Sequence, residues 1–377
     1  MIDSADKRIL VLLGRFPPPF DGQSLTTERY ENLMASDFEV VRVNSSVESS
    51  AGPVEKFRSY YRTGLELREV LTAHPEATIV WQSISPQLSG HFRDFLTVLP
   101  HIRHHATIAV VHWGDYDRVF RTPLARWTAK RLADSVDKFV FLDENLSDAC
   151  SQWLRSARRT EIPNCVDYET LCSESEVDAK RDAGIKDTFR VLYLSNMIES
   201  KGYLDVVRAA SRFKHSDFAV QFEFVGSWYS AKAQLEFEEL VDTESLQDIV
   251  HHHGPVQDRT QIKELHLSSH AFVLPSYYST EAQPMSIIEA LSAGTPVIST
   301  YHGGIPNMVR DGEEAFLVPS QSPQSIAEAI VKLNDPTTWL DMSLRARMRF
   351  LEKYHPDVVK KRWIELIDAV SQVEAPR

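Results

Sequence analysis

Two glutamates separated by seven residues are the first feature of this sequence that could do chemistry. Glu281 ends a polar loop that follows an apolar, strand-like run at 271–275, and Pro284 then opens a predicted helix, where the missing N–H of proline costs nothing. Gly294 is the predicted end of that helix. A carboxylate at a helix mouth lies beside free backbone N–H groups and the positive end of the helix dipole, which together favour a phosphate. Glu289 could accept two ribose hydroxyls, so the pair predicts a nucleotide-sugar site.

The segments that follow favour this interpretation over a solvated helix face, which would explain most bare glutamate pairs. Residues 301–307 directly follow the end of the next predicted strand, and residues 311–319 come shortly afterwards. Gly303 and Gly304 would let the backbone approach a ligand. At this point the chain resembles the retaining glycosyltransferases of family 4, which have the GT-B fold. The resemblance spans nearly the whole chain and is densest over 190–319. It implies that the donor diphosphate is stabilised at the helix start, by Gln283, Pro284, Met285 and Ser286.

A second segment that the resemblance marks is 196–202, after the first predicted strand of the second half. It is similar to the family segment in which an arginine and a lysine grip the donor diphosphate. Lys201 matches the lysine, an ammonium suited to phosphate, and a solvated loop lysine is the alternative. Asn196 stands at the arginine position and supplies no charge. The resemblance therefore implies a clamp that is weaker or is completed by another cation, for which Arg15 and Arg118 are candidates.

The first half of the chain contributes two further candidates. The loop 16–24, which contains Gly22, resembles the family's glycine-rich loop that faces the donor phosphates and the acceptor; a plain surface turn is the alternative. His112 ends the fourth predicted strand. Family members carry a functionally important histidine near the donor sugar there, although a lone histidine is more often structural.

Two clusters invite a metal interpretation. Asp115 and Asp117 form an acid pair of the kind that holds Mn²⁺ in another glycosyltransferase fold, but GT-B enzymes, which this chain resembles, work without a bound metal. The histidines at 251–253 cannot all converge on one ion, because consecutive strand residues point to opposite faces. We therefore expect no metal and no cofactor, with the nucleotide sugar as co-substrate. Gly254 and Val256 match the loop whose backbone tends to read the nucleobase.

Nine apolar runs of strand length alternate with helical patterns. They lie at 9–13, 38–43, 78–82, 107–111 and 138–142, and then at 191–194, 220–225, 271–274 and 296–300. Such continuous apolar runs are typical of parallel strands buried on both faces, so we predict an α/β protein of two Rossmann-like doubly wound domains, which the resemblance places across a cleft. The predicted parts are an acceptor-side domain at 1–168, a linker at 169–187, a nucleotide-sugar-binding domain at 188–354, and a helix at 355–377 that packs back on the first domain.

Composition limits the function classes. The chain has 377 residues, more than one core usually serves. Its net charge of −12 argues against a nucleic-acid binder. The charge is uneven, with 20 basic and 22 acidic residues in 1–168 against 21 and 31 in 169–377. The three cysteines show no metal-ligand spacing and suit a reducing cytosol, and no signal peptide or membrane-spanning run is visible, so we expect a cytoplasmic protein.

The expected function is that of a retaining, metal-independent glycosyltransferase. It would move a sugar from a nucleotide-sugar donor to a saccharide or lipid-linked saccharide acceptor, in the synthesis of surface polysaccharide or another glycoconjugate. The resemblance gives Lys201, Glu281 and His112 the catalytic roles, with Glu281 and His112 on the sugar. Two alternatives stay open: a sugar-nucleotide epimerase of GT-B fold, and a non-catalytic GT-B partner protein. The uncharged Asn196 is the one feature that favours the last.

A membrane contact is a further expectation. Cations cluster with apolar residues at 118–131, the cations being Arg118, Arg121, Arg126, Lys130 and Arg131. Reversible docking on an anionic membrane face would follow, whereas a helix that buries Leu124 and Trp127 and leaves its cations in water is the alternative. A helix at 55–71 is expected to pack one face into the core, namely Phe57, Tyr60, Tyr61, Leu67 and Leu71.

Overall fold

A computed structural model describes residues 7–18, 22–47, 52–85, 87–112, 116–216 and 218–372 of the chain. The chain forms two compact units. The first runs up to Asn164 and also includes the chain from Val359 onward, and the second is Cys165–Val358. Each unit is built on a parallel sheet, as the alternating apolar runs predict.

The sheet of the first unit contains six parallel strands within the described residues, in the order β2-β1-β3-β4-β5-β6. The strands are β1 (Arg8–Gly14), β2 (Phe38–Asn44), β3 (Thr78–Trp81), β4 (Thr107–Val111), β5 (Lys138–Phe141) and β6 (Arg159–Glu161). Leu10 pairs with Val40 on one side and with Thr78 on the other, which fixes the register of the centre. Strands β3 and β4 are buried along their whole length because helices cover both faces of the sheet.

Seven helices accompany this sheet among the described residues between 22 and 149. They are α1 (Gly22–Met34), α2 (Pro53–Ala73), α3 (Leu88–Thr97), α4 (Leu99–Ile102), α5 (Arg118–Arg121), α6 (Pro123–Asp134) and α7 (Glu144–Ala149). The expectation for α2 is only half right. Leu67 and Leu71 are buried, but Phe57 is 67% exposed and Tyr61 is 59% exposed. The inner face also holds the small residues Thr63 and Gly64, so the larger aromatic rings point outward.

The second unit repeats the architecture with its own core. Its six described strands are β7 (Phe189–Leu194), β8 (Val220–Val225), β9 (Val250–His252), β10 (Ala271–Leu274), β11 (Val297–Thr300) and β12 (Ala315–Val318), all parallel in the order β12-β11-β10-β7-β8-β9. The helices are α8 (Glu174–Ala183), α9 (Tyr203–Ala210), α10 (Ala231–Thr243), α11 (Arg259–Ser268), α12 (Met285–Ser292), α13 (Ile305–Met308), α14 (Pro323–Leu333) and α15 (Pro336–Lys353). The core of this unit is continuous around β7 and β10.

All nine predicted strands are confirmed, most to within a residue or two at each end. The three strands that the sequence did not predict, β6, β9 and β12, all lie at a sheet edge. Edge strands pair on one side only and need not be apolar throughout; β6, for example, has the sequence Arg-Thr-Glu. The apolar-run criterion therefore finds central strands and misses short edges.

Two segments near the predicted boundaries have structure of their own. Residues 169–187, predicted as a linker, include helix α8, which begins with a capping box between Ser173 and Glu176 and buries Val177 within the second unit. The last helix, α16 (Pro356–Ser371), packs Trp363 edge-on against Tyr30, with ring centroids 4.7 Å apart. No helix among the described residues is long and apolar enough to span a bilayer.

Candidate functional site

The loop after β7 is held against the loop after β10 by a glycine. Gly202 has a left-handed backbone (φ 80°), and a Cβ there would lie 2.5 Å from the carbonyl oxygen of Pro275. Only glycine permits so close an approach. The backbone N–H of Tyr277 also donates to the carbonyl of Ser200 at 2.8 Å. These contacts bring the loop that carries Lys201 to the carboxyl end of β10.

At this junction Lys201 and Glu281 form a shielded ion pair. The Nζ of Lys201 lies 2.6 Å from Oε2 of Glu281, and the hydroxyl of Ser276 donates to the same oxygen at 2.6 Å. The Lys201 side chain is 15% exposed and that of Glu281 is 6% exposed. The ammonium also lies 4.9 Å from the centre of the Tyr278 ring. Both bonds use Oε2, so Oε1 is the carboxylate oxygen that a ligand hydroxyl could reach.

A second glycine fixes the backbone of Glu281. Gly303 has φ 57°, and a Cβ there would lie 2.1 Å from the carbonyl oxygen of Glu281. The neighbouring Gly304 donates its N–H to that same oxygen at 3.1 Å. His302 contacts the carbonyl of Tyr278 through Nε2 at 2.9 Å. The glycines after β11 therefore hold the glutamate loop in place, which gives this predicted segment a concrete role.

Helix α12 begins beside this loop without a capping side chain. Its N-cap is Pro284, no side-chain cap bond is present, and the helix from Ser286 to Ser292 is buried. Gln283 and Ser286 are buried as well, and Met285 is half-buried. The first N–H groups of a helix carry a partial positive charge that favours anions. The predicted helix start is thus confirmed to within a residue, and it follows the loop that carries Glu281.

Glu289 lies deeper than the sequence suggests. Its side chain is 6% exposed, and its Oε2 lies 3.7 Å from Nε2 of His266, which projects from α11. Burial lowers the pKa of His266, so the ring is neutral near pH 7. His266 therefore neighbours Glu289 without neutralising it. Nothing in the pattern around residue 266 indicates this contact, because it joins two helices that are distant in sequence.

The far end of α12 is gripped by two cations that sequence reasoning missed. Lys180 donates to the carbonyl of Ala293 at 3.2 Å and to the hydroxyl of Thr295 at 2.5 Å, and Arg347 donates to the carbonyl of Ser292 at 2.6 Å. Burial lowers the pKa of Lys180 to about 7. The charged Arg347 guanidinium complements the helix dipole at this end, and the Lys180 hydrogen bonds hold the same end of α12 in place.

Glycines also order the neighbouring strand ends. Gly226, which follows β8, donates its N–H to the carbonyl of Gly254 at 3.0 Å. A Cβ on Gly226 would lie 1.9 Å from the carbonyl oxygen of Ser195. Asn196 is exposed beside it, and Val256 packs partly on the core. Asn196, Gly254 and Lys201 therefore all lie at the carboxyl edge of one sheet, where doubly wound folds bind ligands.

The histidines at 251–253 do not share a ligand position. Nε2 of His252 contacts the carbonyl of Gly226 at 3.1 Å, and the ring lies tilted against that of Trp228, with centroids 4.3 Å apart. His253 pairs instead with Glu223. Among the residues that the structure describes, no group of three His, Cys, Asp or Glu side chains could hold a metal ion. Asp115 falls outside those residues, and Asp117 pairs with Arg121 at 2.8 Å.

The candidates of the first unit form a neutral network at their own sheet edge. Nε2 of His112, directly after β4, lies 2.8 Å from Oε1 of Gln82, directly after β3. Gln23, next to Gly22 at the start of α1, donates its side-chain amide to the Gln82 carbonyl at 3.1 Å. Burial lowers the pKa of His112 to about 4, so its ring is neutral near pH 7. Gln82 was not predicted as a site residue, since a glutamine at a strand end has no distinctive pattern, and Gln23 was not singled out within the predicted loop 16–24.

Comparison with known proteins matches the second unit to one family. Residues 176–349 match the family described as glycosyl transferases group 1. A D-inositol 3-phosphate glycosyltransferase of an Arthrobacter species is 29% identical over 163 residues, which is 42% of this chain and 38% of that protein. The amylovoran biosynthesis glycosyltransferase AmsK of Erwinia amylovora is 22% identical over 196 residues, 51% of this chain and 47% of AmsK. The chain thus matches less than half the length of these relatives.

Solved structures match over both units. HepE of Anabaena, crystallised with UDP and glucose, aligns with a TM-score of 0.71 at 14% identity, covering 97% of this chain and all of that one. At this identity the likeness shows the fold. The two parallel six-stranded sheets of this chain are those of the GT-B fold, as predicted.

Proposed function

We propose that this chain, whose residues 176–349 match the group 1 glycosyl transferases, moves a sugar from a nucleotide-sugar donor to a saccharide or lipid-linked saccharide acceptor. The observation that supports this most is the shielded Lys201–Glu281 pair next to the uncapped start of α12. A cation and a helix N-terminus fit a diphosphate, and a carboxylate fits sugar hydroxyls. No simpler role explains why all three meet at one sheet edge.

The donor would bind with its diphosphate at the start of α12, near Gln283, Pro284, Met285 and Ser286. Lys201 would neutralise charge that develops on the leaving phosphate. Oε1 of Glu281 would accept hydroxyls of the transferred sugar. Glu289 would take the ribose, and Gly254 and Val256 the base. Because Lys201 is already hydrogen-bonded to Glu281, the site is organised before the donor arrives, which avoids reorganisation in the transition state.

The proposed reaction proceeds with retention and without a bound metal. The bond between the anomeric carbon and the phosphate oxygen breaks as the acceptor oxygen bonds to the same face of that carbon. The acceptor proton passes to the departing phosphate. The protein stabilises the leaving group and aligns the acceptor, and His112, being neutral, offers the sugar a hydrogen bond rather than a charge. This proposal needs no cofactor beyond the nucleotide sugar itself.

The relatives suggest which substrates to test first. AmsK acts in amylovoran biosynthesis by its name, and HepE was crystallised with UDP and glucose. We therefore place this protein in the synthesis of a polysaccharide or glycoconjugate, with UDP-sugars as the first donors to try. A panel of nucleoside diphosphates and their sugars should raise the melting temperature when one binds, because a ligand that binds only the folded state stabilises it.

Product analysis then separates the candidate activities. Release of a nucleoside diphosphate, increased by an acceptor and unaffected by a chelator, is the expected result. Conversion of the donor into an isomeric nucleotide sugar would identify an epimerase instead. Donor binding without any turnover would identify a non-catalytic GT-B protein. Loss of activity in chelator that Mn²⁺ or Mg²⁺ restores would contradict metal independence and would turn attention to Asp115 and Asp117.

A further inference from the structure

Helix α2 of the first unit has two apolar faces, one of which lies in solvent. Phe57 is 67% exposed, Tyr61 is 59% exposed and Leu65 is 41% exposed. Their spacing of four residues places them on one face of the helix, while Leu67 and Leu71 fill the buried face. A surface helix of a globular protein normally has one apolar stripe, directed at the core. The second stripe therefore requires an explanation.

The exposed stripe continues onto the two neighbouring helices. A Cβ on Gly64 of α2 would lie 2.7 Å from the carbonyl oxygen of Thr97, so α2 and α3 are in close contact. Phe95 of α3 in turn packs against Trp127 of α6, with ring centroids 5.7 Å apart. Leu96 is 66% exposed, Trp127 66% and Leu124 77%. The docking strip, as we name this surface, comprises Phe57, Tyr61, Leu65, Leu96, Leu124 and Trp127.

Leu124 and Trp127 contradict the alternative interpretation of α6, in which both side chains are buried. A solvated cationic face would require them to be buried, but the buried residues of α6 are Ala125, Thr128, Ala129, Leu132 and Ala133. Leu124 and Trp127 therefore share the outer side of α6 with its exposed cations.

Cations surround the docking strip. Arg58, Arg62 and Arg68 are exposed on α2, against the exposed acids Glu55 and Glu69. On α6, Arg131 is exposed and its guanidinium lies 5.8 Å from the centre of the Trp127 ring. The result is an excess of positive charge around apolar and aromatic side chains, although the whole protein has a net charge of −12.

A basic groove borders the same helix on its other side. Arg126 and Lys130 line a cavity of about 570 Å³ together with Arg155 and Arg158. Within the described residues, Arg158 is the one of these four with a carboxylate within 4 Å, namely Asp134 at 3.8 Å. The groove is therefore suited to the phosphate of a lipid headgroup while the strip reaches the acyl chains.

Helix α15 of the second unit also exposes apolar side chains, and comparison with it shows what is specific to the docking strip. Helix α15 exposes Leu344 (43%) and Met348 (57%) at the same spacing of four. Its exposed charges include no excess of cations, since Arg345 pairs with Asp341 at 2.9 Å and the acid Glu352 is also exposed. Apolar exposure alone therefore occurs in both units, whereas apolar exposure combined with unbalanced cations is found at the docking strip.

We propose that the docking strip and its cations attach the protein to an anionic membrane surface. Tyrosine and tryptophan are favoured at membrane interfaces, and leucine and phenylalanine enter the upper acyl region while basic residues contact acidic headgroups. An exposed patch of this kind indicates an interaction site, and its charge matches an anionic bilayer. This proposal concerns a surface of the first unit and does not depend on the donor chemistry of the second.

Sedimentation with lipid vesicles tests the proposal. The full chain should sediment at low salt with vesicles of equal parts phosphatidylcholine and phosphatidylglycerol, and not with phosphatidylcholine alone. Phe57→Ser with Tyr61→Ser removes apolar contacts, and Arg58→Glu with Arg62→Glu removes cations. Each pair should weaken the partition by about tenfold or more. Each cation near an anionic surface contributes about a fivefold factor, and burial of each large apolar side chain contributes about 1.5–3 kcal/mol, which is more than tenfold. Replaced side chains are exposed, and circular dichroism would verify the fold.

The matched control is Leu344→Ser with Met348→Ser on α15, which should leave the partition unchanged. An equal loss in the control, equal binding to both vesicle types, or no vesicle binding at all would overturn the proposal. A concentration-dependent dimer that Phe57→Ser with Tyr61→Ser abolishes would also overturn it, and would identify a protein partner instead. Vesicle binding should survive Lys201→Ala, so failure of the proposed transfer reaction can be told apart from failure of docking.

Discussion

The carboxyl edges of the two sheets differ in the charge of the side chains that they carry. In the second unit the edge carries charge: Lys201 and Glu281 are paired at 2.6 Å and shielded from water. In the first unit the edge carries a neutral network in which His112 contacts Gln82 at 2.8 Å. A diphosphate needs positive charge at a fixed place, whereas a sugar hydroxyl needs only a directed hydrogen bond. In the function we propose, the same architecture would therefore serve an electrostatic role in one unit and a positioning role in the other.

The largest expected effect on turnover comes from removing either partner of the Lys201–Glu281 ion pair. Lys201→Ala and Glu281→Ala should each lower turnover at least about a hundredfold, since a lost charge-stabilising contact costs about 2–4 kcal/mol in the transition state. Steady-state kinetics with the donor found in the binding screen would measure this. Arg208→Ala is the control, because it removes a more exposed ion pair of the same unit, with Arg208 50% exposed, and should leave turnover unchanged. Near-normal turnover in both site variants would contradict the assignment.

A smaller effect should follow from displacing the same edge without changing its charge. A Cβ in Gly303→Ala would lie 2.1 Å from the Glu281 carbonyl oxygen, so the glutamate loop must shift. Turnover should fall by about a hundredfold or less, because a shift of about 1 Å at a reacting centre has that cost. The matched control is Gly312→Ala, which has the same left-handed strain (φ 76°) with nothing within 4 Å of its Cβ. If both variants behave alike, backbone strain rather than the contact with Glu281 is responsible.

Substitution of His112 at the neutral edge should have a smaller effect, and it should change KM for the donor rather than turnover. His112→Ala removes a hydrogen bond without removing a charge, so it should raise KM for the donor by about tenfold, the equivalent of one hydrogen bond. His112→Gln, which can still bond to Gln82, should restore most of it. A loss in turnover as large as that of Lys201→Ala would mean that His112 acts on the reacting atoms.

The pH dependence of the free energy of unfolding tests whether His112 is neutral in the folded protein. The folded pKa of His112 is about 4 against an ordinary 6.5, so the unfolded chain binds the additional proton between these values. Its contribution to stability is complete above pH 6.5 and is lost as the pH falls towards 4. His112→Gln should therefore reduce the decline in unfolding free energy between pH 7 and pH 5, measured in denaturant. An unchanged decline would show that the ring is charged in the fold.

The smallest effect is expected at Asn196. The side chain is exposed at the charged edge, and Asn196→Arg would add the cation that the family resemblance leads one to expect. Binding of a nucleoside diphosphate, measured by calorimetry, should tighten or stay the same. A collapse in affinity would mean that the asparagine itself is needed and that this loop has been matched incorrectly to the family segment.

The two edges also differ in how far sequence reasoning reached. Lys201, Glu281 and the glycines at 303 and 304 stand in local patterns, and the structure places them together. Gln82, Gln23 and His266 carry no local signal, because each is recognised only through a partner distant in the chain. The exposed rings of α2 are a second case in which the local sequence was insufficient. A helical pattern with two apolar stripes, on Phe57 and Leu67 for example, does not say which stripe faces the core.

The sequence alone determined the alternating strands and helices, the parallel sheets and the helix start after Glu281, because periodicity, proline and glycine act over a few residues. Tertiary structure decided the rest: the ion pair between residues 80 apart in the chain, the burial of Glu289 beside His266, and the exposure of the docking strip. Those features depend on which neighbours meet across a sheet edge or between helices. Distances between such neighbours are set by packing of the whole unit, which no short segment encodes.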